Sequence, residues 1–486
     1  MAERNLAWQR LGFSGRAGQF GQISCLPFGI RVRAKARRRH EITRRTFPGF
    51  APAPWDPGGS KHTMLKRLEM LHVGPAEQLG PLDFGTRLNL LTGDNGLGKS
   101  FVLDVAWWTL TGTWPERAAW PRETSSREEP AKLKAIVEGK TKDCPVDAQF
   151  DHDMANWVLN SGRPAMPGLV LYFRVDGRFS LWDPAQHYWR RSKVKQVHDP
   201  SRPDALHLGP DEVWDSHVSA DGKPICRGLI EDWVTWQQKK NHEYALLQSV
   251  LRDLSPGPDE LLEVGDVLPP YMLDREDARE HPTLKFSYGM TPVMLASAAV
   301  KRILALSYLL VWVWQGHRNA SAALRQSPEK RLVILFDEPE THLHPQWQRR
   351  LLPALMHVAN SLGSEVQLLV STHAPLVLAS VENEFDAVRD RLFHFDIDGG
   401  PHIDEMPFTK YGDVVGWLTS PIFGLKQARS VEAEEAINAA RHFLRGEEAS
   451  NREGLRTKEE IDARLRNVLG GTDPFWPRWV VKTGAS

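Results

Sequence analysis

Cysteine is scarce in this chain. Its three cysteines (Cys25, Cys144 and Cys226) lie far apart and form no CxxC pair. That excludes a disulfide framework and a cysteine zinc site, and a reducing cytoplasm fits best. Long apolar runs are missing too. The longest, Ile303 to Trp314, has about 12 residues, whereas a bilayer-spanning helix needs roughly 20. It reads as a buried helix, and no membrane association is expected. No apolar segment precedes a small-residue cleavage site at the N-terminus, so no secretory signal is visible. Net charge is also absent, with 61 Lys+Arg against 61 Asp+Glu. The balance hides an asymmetry: residues 1–63 hold 12 Lys/Arg and 3 Asp/Glu, a net of +9, which leaves −9 for the remaining 423. A basic nucleic-acid-binding body is therefore not indicated, although a local basic groove remains open. No internal repeat and no long heptad array occurs. What is present, 41% hydrophobic and 25% charged among 486 residues, is the composition of a globular chain of two or three domains.

Residues 1–63 combine a basic run (Arg31 to Arg45) with a Pro/Gly-rich stretch (Phe47 to Ser60). They read as a disordered basic extension, with a nucleic-acid or targeting tail as the alternative. Order begins at Met64. Met64 to Val73 alternates like a strand, and Arg87 to Thr92 is a short apolar strand. A glycine-rich stretch follows, then a buried helix from Phe101 to Leu110. Leu169–Arg174 and Arg178–Trp182 flank Val175-Asp176-Gly177, a hairpin. Leu229 to Val250 reads as a helix. Ten of the 18 tryptophans fall between 107 and 236; bases could stack on them, but core packing is the better reading. Residues 296–315 predict a long apolar helix, Arg331–Phe336 a buried strand, His344–Leu362 a helix and Val366–Ser371 another buried strand. Arg391–Ile397 and His402–Met406 form a second hairpin, and two helices, about 428–446 and 457–469, close the chain. Uninterrupted apolar strands alternating with helices imply a mostly parallel central sheet covered on both faces, an α/β fold.

Three motifs carry chemistry. Gly93-Asp94-Asn95-Gly96-Leu97-Gly98-Lys99-Ser100, followed by Phe101, matches GxxxxGK[ST] between a strand and a helix. Glycines there let the backbone wrap phosphate oxygens, and the helix N-terminus favours anions. Lys99 would reach the β- and γ-phosphates of ATP and Ser100 would hold Mg²⁺. The second motif is LVILF ending in Asp337-Glu338. Carboxylates at the C-terminal end of a buried strand lie where ligands bind, so Asp337 would hold Mg²⁺ and Glu338 would be the general base. The third is His373, 36 residues beyond Asp337 and just past an apolar strand. It could donate to the terminal phosphate or to the attacking water.

GDNGLGKS, LVILFDEPETHLHP and LLVSTHAP together resemble the head of ABC-type AAA family ATPases, in the RecF-like, SMC-like and OLD-like branch. The resemblance covers about residues 64–110 and 290–410. It implies a P-loop NTPase fold of ABC-ATPase type with an N-terminal antiparallel subdomain and a mixed α/β insertion. The implied divisions are the extension 1–63, a head part 64–112 with Walker A, an insertion 113–285, a head part 286–412 with the signature-like segment, Walker B and switch histidine, and a helical tail 413–486. The resemblance also implies a homodimer with ATP sandwiched between protomers. Ser297, opening Ser297-Ala298-Ala299-Val300-Lys301-Arg302, would then contact the partner's nucleotide; the family's usual glycine is Ala299 here, and a plain helix cap is the alternative. Glu340, His342 and His344 would face the partner, a zinc site from these histidines being the poorer reading. Gln149, 50 residues after Lys99, is the candidate Mg²⁺-sensing glutamine. Long SMC arms are missing, and so is a TOPRIM nuclease domain; Asp396 and Asp398 read as turn chemistry. The segments GLVLYFRVDGRF, EVWD, GLIEDWVTWQ and DPFWPRW resemble stand-alone bacterial ATPases, some found beside anti-phage effectors. The resulting expectation is an ATPase switch controlling a separately encoded effector protein. Direct DNA binding in repair is the alternative, and a transporter motor fits least.

Overall fold

The computed structural model describes residues 64–139, 142–159, 166–186, 205–219, 221–362, 365–447 and 455–484. The expectation for 1–63 lies outside the described residues. At the centre is an eight-stranded sheet. In spatial order its strands are His402–Met406, Arg391–Asp396, Leu88–Gly93, Glu365–Ser371, Arg331–Asp337, Leu169–Phe173, Phe179–Trp182 and Leu206–Leu208. The five strands from Arg391–Asp396 to Leu169–Phe173 run parallel, and the remaining three pair antiparallel at the two edges. This is the mostly parallel α/β sheet that the apolar runs predict.

Side chains of a strand alternate between faces, and the sheet sorts its residues accordingly. Val333 and Leu335 join Leu91, Val102, Val105, Trp107, Leu369 and Phe393 in one core. Leu332, Ile334 and Phe336 join Leu90, Leu304, Leu355, Leu368 and Val370 in another. The first core is closed by the helix Lys99–Thr111 and by a separate antiparallel sheet, in the order Gln78–Asp83, Leu65–Leu71, Lys132–Val137, Cys144–Asp151 and Asn156–Leu159. The second is closed by helices including Gly228–Lys239, His242–Asp253, Ala298–Ala323 and Leu351–Ser361. Among the described residues, Ala298–Ala323 alone has the length and composition to cross a membrane, and 56% of its most apolar window is buried in this core. Trp107, Trp182 and Trp233 are fully buried and Trp108, Trp157 and Trp236 nearly so, whereas Trp120 is 72% exposed. Packing, not base stacking, accounts for most of the tryptophan-rich stretch.

One buried amide ties the sheets together, and a second braces the link between them. Gln367, in the middle of the central sheet, donates to Leu65 O at 3.0 Å and Gly85 O at 2.8 Å, and accepts from Leu65 N at 2.9 Å. Asn89 accepts from Gly85 N at 2.7 Å and donates to Gly85 O and Leu368 O. The last three helices, Val431–Arg445, Lys458–Val468 and Trp476–Thr483, form a small core of their own around Ile437, Leu465 and Trp479. Ser430 and Thr457 cap the first two, Thr457 in a capping box with Glu460.

Candidate nucleotide site

The glycine-rich loop leaves the strand Leu88–Gly93 and enters the helix Lys99–Thr111. Gly93 has φ 125° and a Cβ there would sit 2.1 Å from Phe395 O, so no other residue fits. Gly98 caps the helix at φ 95°. Leu97 is buried and pins the loop to the core beneath it, while Asp94, Asn95, Gly96 and Ser100 face outward. Phe101 packs against the same core. No acidic residue occupies the first helical turn, which leaves its N–H groups and positive dipole end uncompensated.

Lys99 is 5% exposed. Its ammonium donates to Gly93 O at 2.8 Å and Asp94 O at 2.6 Å. Burial pushes it down to about 8, against the opposing pull of Glu338, Asp94, Asp337 and Glu340. Ser100 Oγ donates to Asp337 Oδ1 at 2.9 Å, and Ser371 Oγ donates to the same oxygen at 2.6 Å. Burial raises the Asp337 carboxyl above the usual range, and the Ser371 and Ser100 hydrogen bonds oppose the rise.

Glu338 sits in the left-handed region at φ 45°, which is strained for a residue of this type. Its N–H donates to Ser371 Oγ at 3.0 Å and Ser371 O at 3.2 Å. Arg302 Nη2 donates to its carbonyl at 3.0 Å. Held this way, Glu338 places Oε1 3.0 Å from His373 Nε2, with both side chains about one-third exposed. Glu340 does not face outward as the resemblance implies. It is 9% exposed, and its Oε1 accepts from Thr372 Oγ1 at 2.8 Å, His373 N at 2.8 Å and Ala374 N at 3.2 Å. The carboxylate is turned in to satisfy donors of the Thr372–Ala374 turn, while His342 and His344 are exposed. No metal-ligating cluster of His, Cys, Asp and Glu occurs among the described residues.

Lys99, Ser100, Asp337, Glu338 and His373 thus gather at the C-terminal edge of the parallel strands. Two candidates stand apart. Ser297 is exposed and caps the helix Ala298–Ala323, its Oγ accepting from Val300 N at 3.3 Å. Gln149 lies half-buried in the antiparallel sheet, opposite Lys132 and Val158, and does not enter the hydrogen-bonded group around Asp337. Asp396 Oδ1 accepts from Ile397 N at 2.6 Å and Asp398 N at 3.0 Å, the turn chemistry expected. Ser371 and Arg302 were missed by sequence reasoning. Ser371 was within reach, since it ends an apolar strand that pairs in parallel with the strand of Asp337; Arg302 meets Glu338 only through the tertiary fold.

The residues fit a magnesium–nucleoside phosphate. A hydroxyl and a carboxylate converge, and such oxygen donors suit a hard divalent cation. The adjacent ammonium is bonded only to carbonyls, beside a helix N-terminus with no acidic residue in its first turn.

Comparison with known proteins points the same way. A family model described as "AAA domain, putative AbiEii toxin, Type IV TA system" matches residues 319–379. The Septu protein PtuA of Bacillus thuringiensis is 32% identical over 110 residues, which is 22% of this chain and 25% of PtuA. The OLD nuclease of Thermus scotoductus is 40% identical over 67 residues, 14% of this chain and 12% of that protein. The chain thus spans a quarter or less of the length of these two relatives. A solved SMC head bound to the C-winged helix domain of ScpA is 15% identical, with 71% of this chain and 98% of that one covered at a TM-score of 0.40. The motifs and the sheet order, with the family model and these two relatives, make the folded body similar to an ABC-type ATPase head.

Proposed function

We propose that this protein is an ATP-hydrolysing switch, working as a dimer that closes on ATP and opens on its hydrolysis. The observation that carries the reading is the convergence of Lys99, Ser100, Asp337, Glu338 and His373 at one sheet edge. Lys99 and the N–H groups of residues 94–100 would bind the β- and γ-phosphates. Ser100 and Asp337 would hold Mg²⁺, which when bound offsets the charge of the phosphates. Glu338 would orient water and take its proton, and His373 would donate to the terminal phosphate or to that water. Ser297 would serve the nucleotide of the second protomer. Its Oγ lone pair is used by Val300 N, and its proton is left to donate.

The segments that resemble stand-alone bacterial ATPases found beside anti-phage effectors support a role in defence with a separately encoded effector, and co-purification with the neighbouring gene product tests that role. Phosphate release tests the chemistry. Lys99→Ala and Glu338→Gln should each lower turnover by about 100-fold or more, the first through lost phosphate binding and the second through the lost base. Near-normal turnover in either variant overturns its assignment. A second reading, a repair ATPase that binds DNA directly, is favoured by one feature: a concavity of about 300 Å³ lined by Arg252, Arg349, Arg350 and His357, with Asp253 the single acid. It requires DNA affinity that falls steeply with salt and drops further in Arg349→Ala.

A further inference from the structure

The strand Leu169–Phe173 lies beside the strand of Asp337 in parallel, with Phe173 opposite Phe336. The next residue, Arg174, therefore emerges level with Asp337 at the sheet edge that carries the phosphate loop. Its backbone is fixed in a tight turn. Arg174 N donates to Arg178 O at 3.0 Å, Gly177 N donates to Arg174 O at 3.1 Å, and Val175 O accepts from Arg302 at 3.0 Å. Only the side chain is left to move.

That side chain is 16% exposed and lies between two sets of acids. On one side its Nη2 donates to Glu116 Oε2 at 3.0 Å. On the other, its charge favours the ionised forms of Asp337 and of Asp104, whose Oδ1 accepts from Tyr172 at 3.0 Å. Glu116 does not depend on Arg174, because Arg178 Nη1 reaches the same oxygen at 2.5 Å. A guanidinium beside Asp337 whose present partner has a second cation can change partner without leaving a carboxylate unpaired. A permanently charged planar donor suits phosphate oxygens, whereas it cannot ligate a metal ion.

We propose that Arg174 is a substrate-contacting residue that donates to the terminal phosphate of a bound nucleoside triphosphate and rests on Glu116 when only a diphosphate is present. This rests on the nucleotide reading of the site and adds to it the group that tells triphosphate from diphosphate.

The test is binding of ADP and of a non-hydrolysable ATP analogue to the full chain, by calorimetry, with Mg²⁺ present. Wild type should prefer the analogue. In Arg174→Ala the analogue should weaken by about 10- to 100-fold, the range of a charge-assisted hydrogen bond, with ADP changed less than about twofold. Glu116→Gln releases Arg174 and should leave analogue affinity equal or tighter. The inference is overturned if Arg174→Ala keeps the wild-type preference, weakens both ligands equally, or is matched by Glu116→Gln, each of which marks a purely structural pair. Should the alanine variant fail to fold, Arg174→Gln and Arg174→Lys carry the test, with loss of the preference expected in the first and partial retention in the second. A wild-type chain that binds neither nucleotide defeats the reading of the site itself, which separates the two failures.

Discussion

A buried ammonium ion is costly unless something negative compensates it. Lys99 has only two carbonyl oxygens for direct partners, and its proton is already loosened, with a pKa of about 8. A phosphate arriving beside it favours the charged form, so the bound pKa lies above the free one. The sign follows. Below about 8 the free protein already carries the proton and affinity is full. Between the free and bound values binding takes up a proton, and affinity falls as pH rises, by up to tenfold per unit. Calorimetry at pH 8.5 in buffers of different ionisation enthalpy should detect that uptake in wild type. Binding without proton uptake would place the phosphate away from this side chain. Glu338 belongs to the same scale: its positive φ is maintained by Ser371 on one side of the peptide and Arg302 on the other, which is a reason for a strained residue to persist at the position proposed to orient water.

At the scale of elements, legibility tracked how local each cause is. The buried strand expected at Arg331–Phe336 runs Arg331–Asp337, and the phosphate-loop helix runs Lys99–Thr111, because uninterrupted apolar runs and a fixed glycine spacing are carried by neighbours in sequence. The single helix expected over Leu229–Val250 is two. Lys240 turns left-handed at φ 48° and Asn241 accepts from Tyr244 N as the cap of the second, a break that Asn241 could have signalled. His344–Leu362 is likewise divided between Gln348 and Leu351. The third tail helix, Trp476–Thr483, went unread because the sequence there carries motif-like tryptophans and a proline, which sits in its first turn. The inward Glu340 and the reach of Arg302 to Glu338 were not legible, since both depend on partners more than 30 residues away. Gln367 is the clearest case: a glutamine within an apolar strand is a weakness until Leu65 of the antiparallel sheet supplies two hydrogen bonds and Gly85, in the link between the sheets, a third. Gln367→Leu should therefore destabilise the protein by about 2–4 kcal/mol, through the buried N–H and carbonyl of Leu65 losing their amide partner, while Gly85 O keeps Asn89. Denaturant melts measure this, and a variant as stable as wild type would mean the sheets are held by apolar packing alone.

At the scale of the whole molecule, the proposed function requires hydrolysis at one sheet edge to move something remote. The helix Ala298–Ala323 offers a route. Ser297 stands exposed at its start, and Arg302, in its second turn, binds the carbonyls of Val175 and Glu338 in its own protomer. A shift at Glu338 is therefore felt by the helix that would present Ser297 to a second copy. At 26 residues this helix is about 39 Å long, enough to carry a tilt to the far side of the fold. The prediction is a set of three outcomes, read by light scattering on a sizing column with ATP at micromolar protein. Glu338→Gln should run as a dimer, because nucleotide binds and is not consumed. Lys99→Ala should run as a monomer, because the nucleotide that joins the copies is not held. The double variant Ser297→Ala/Glu338→Gln should shift back toward monomer while still binding ATP, because only the contribution in trans is removed. A Glu338→Gln chain that binds ATP and stays monomeric would sink the shared-nucleotide arrangement. The coupling through Arg302 would then have to act within one chain, with the remote surface changed by the tilt of the helix alone.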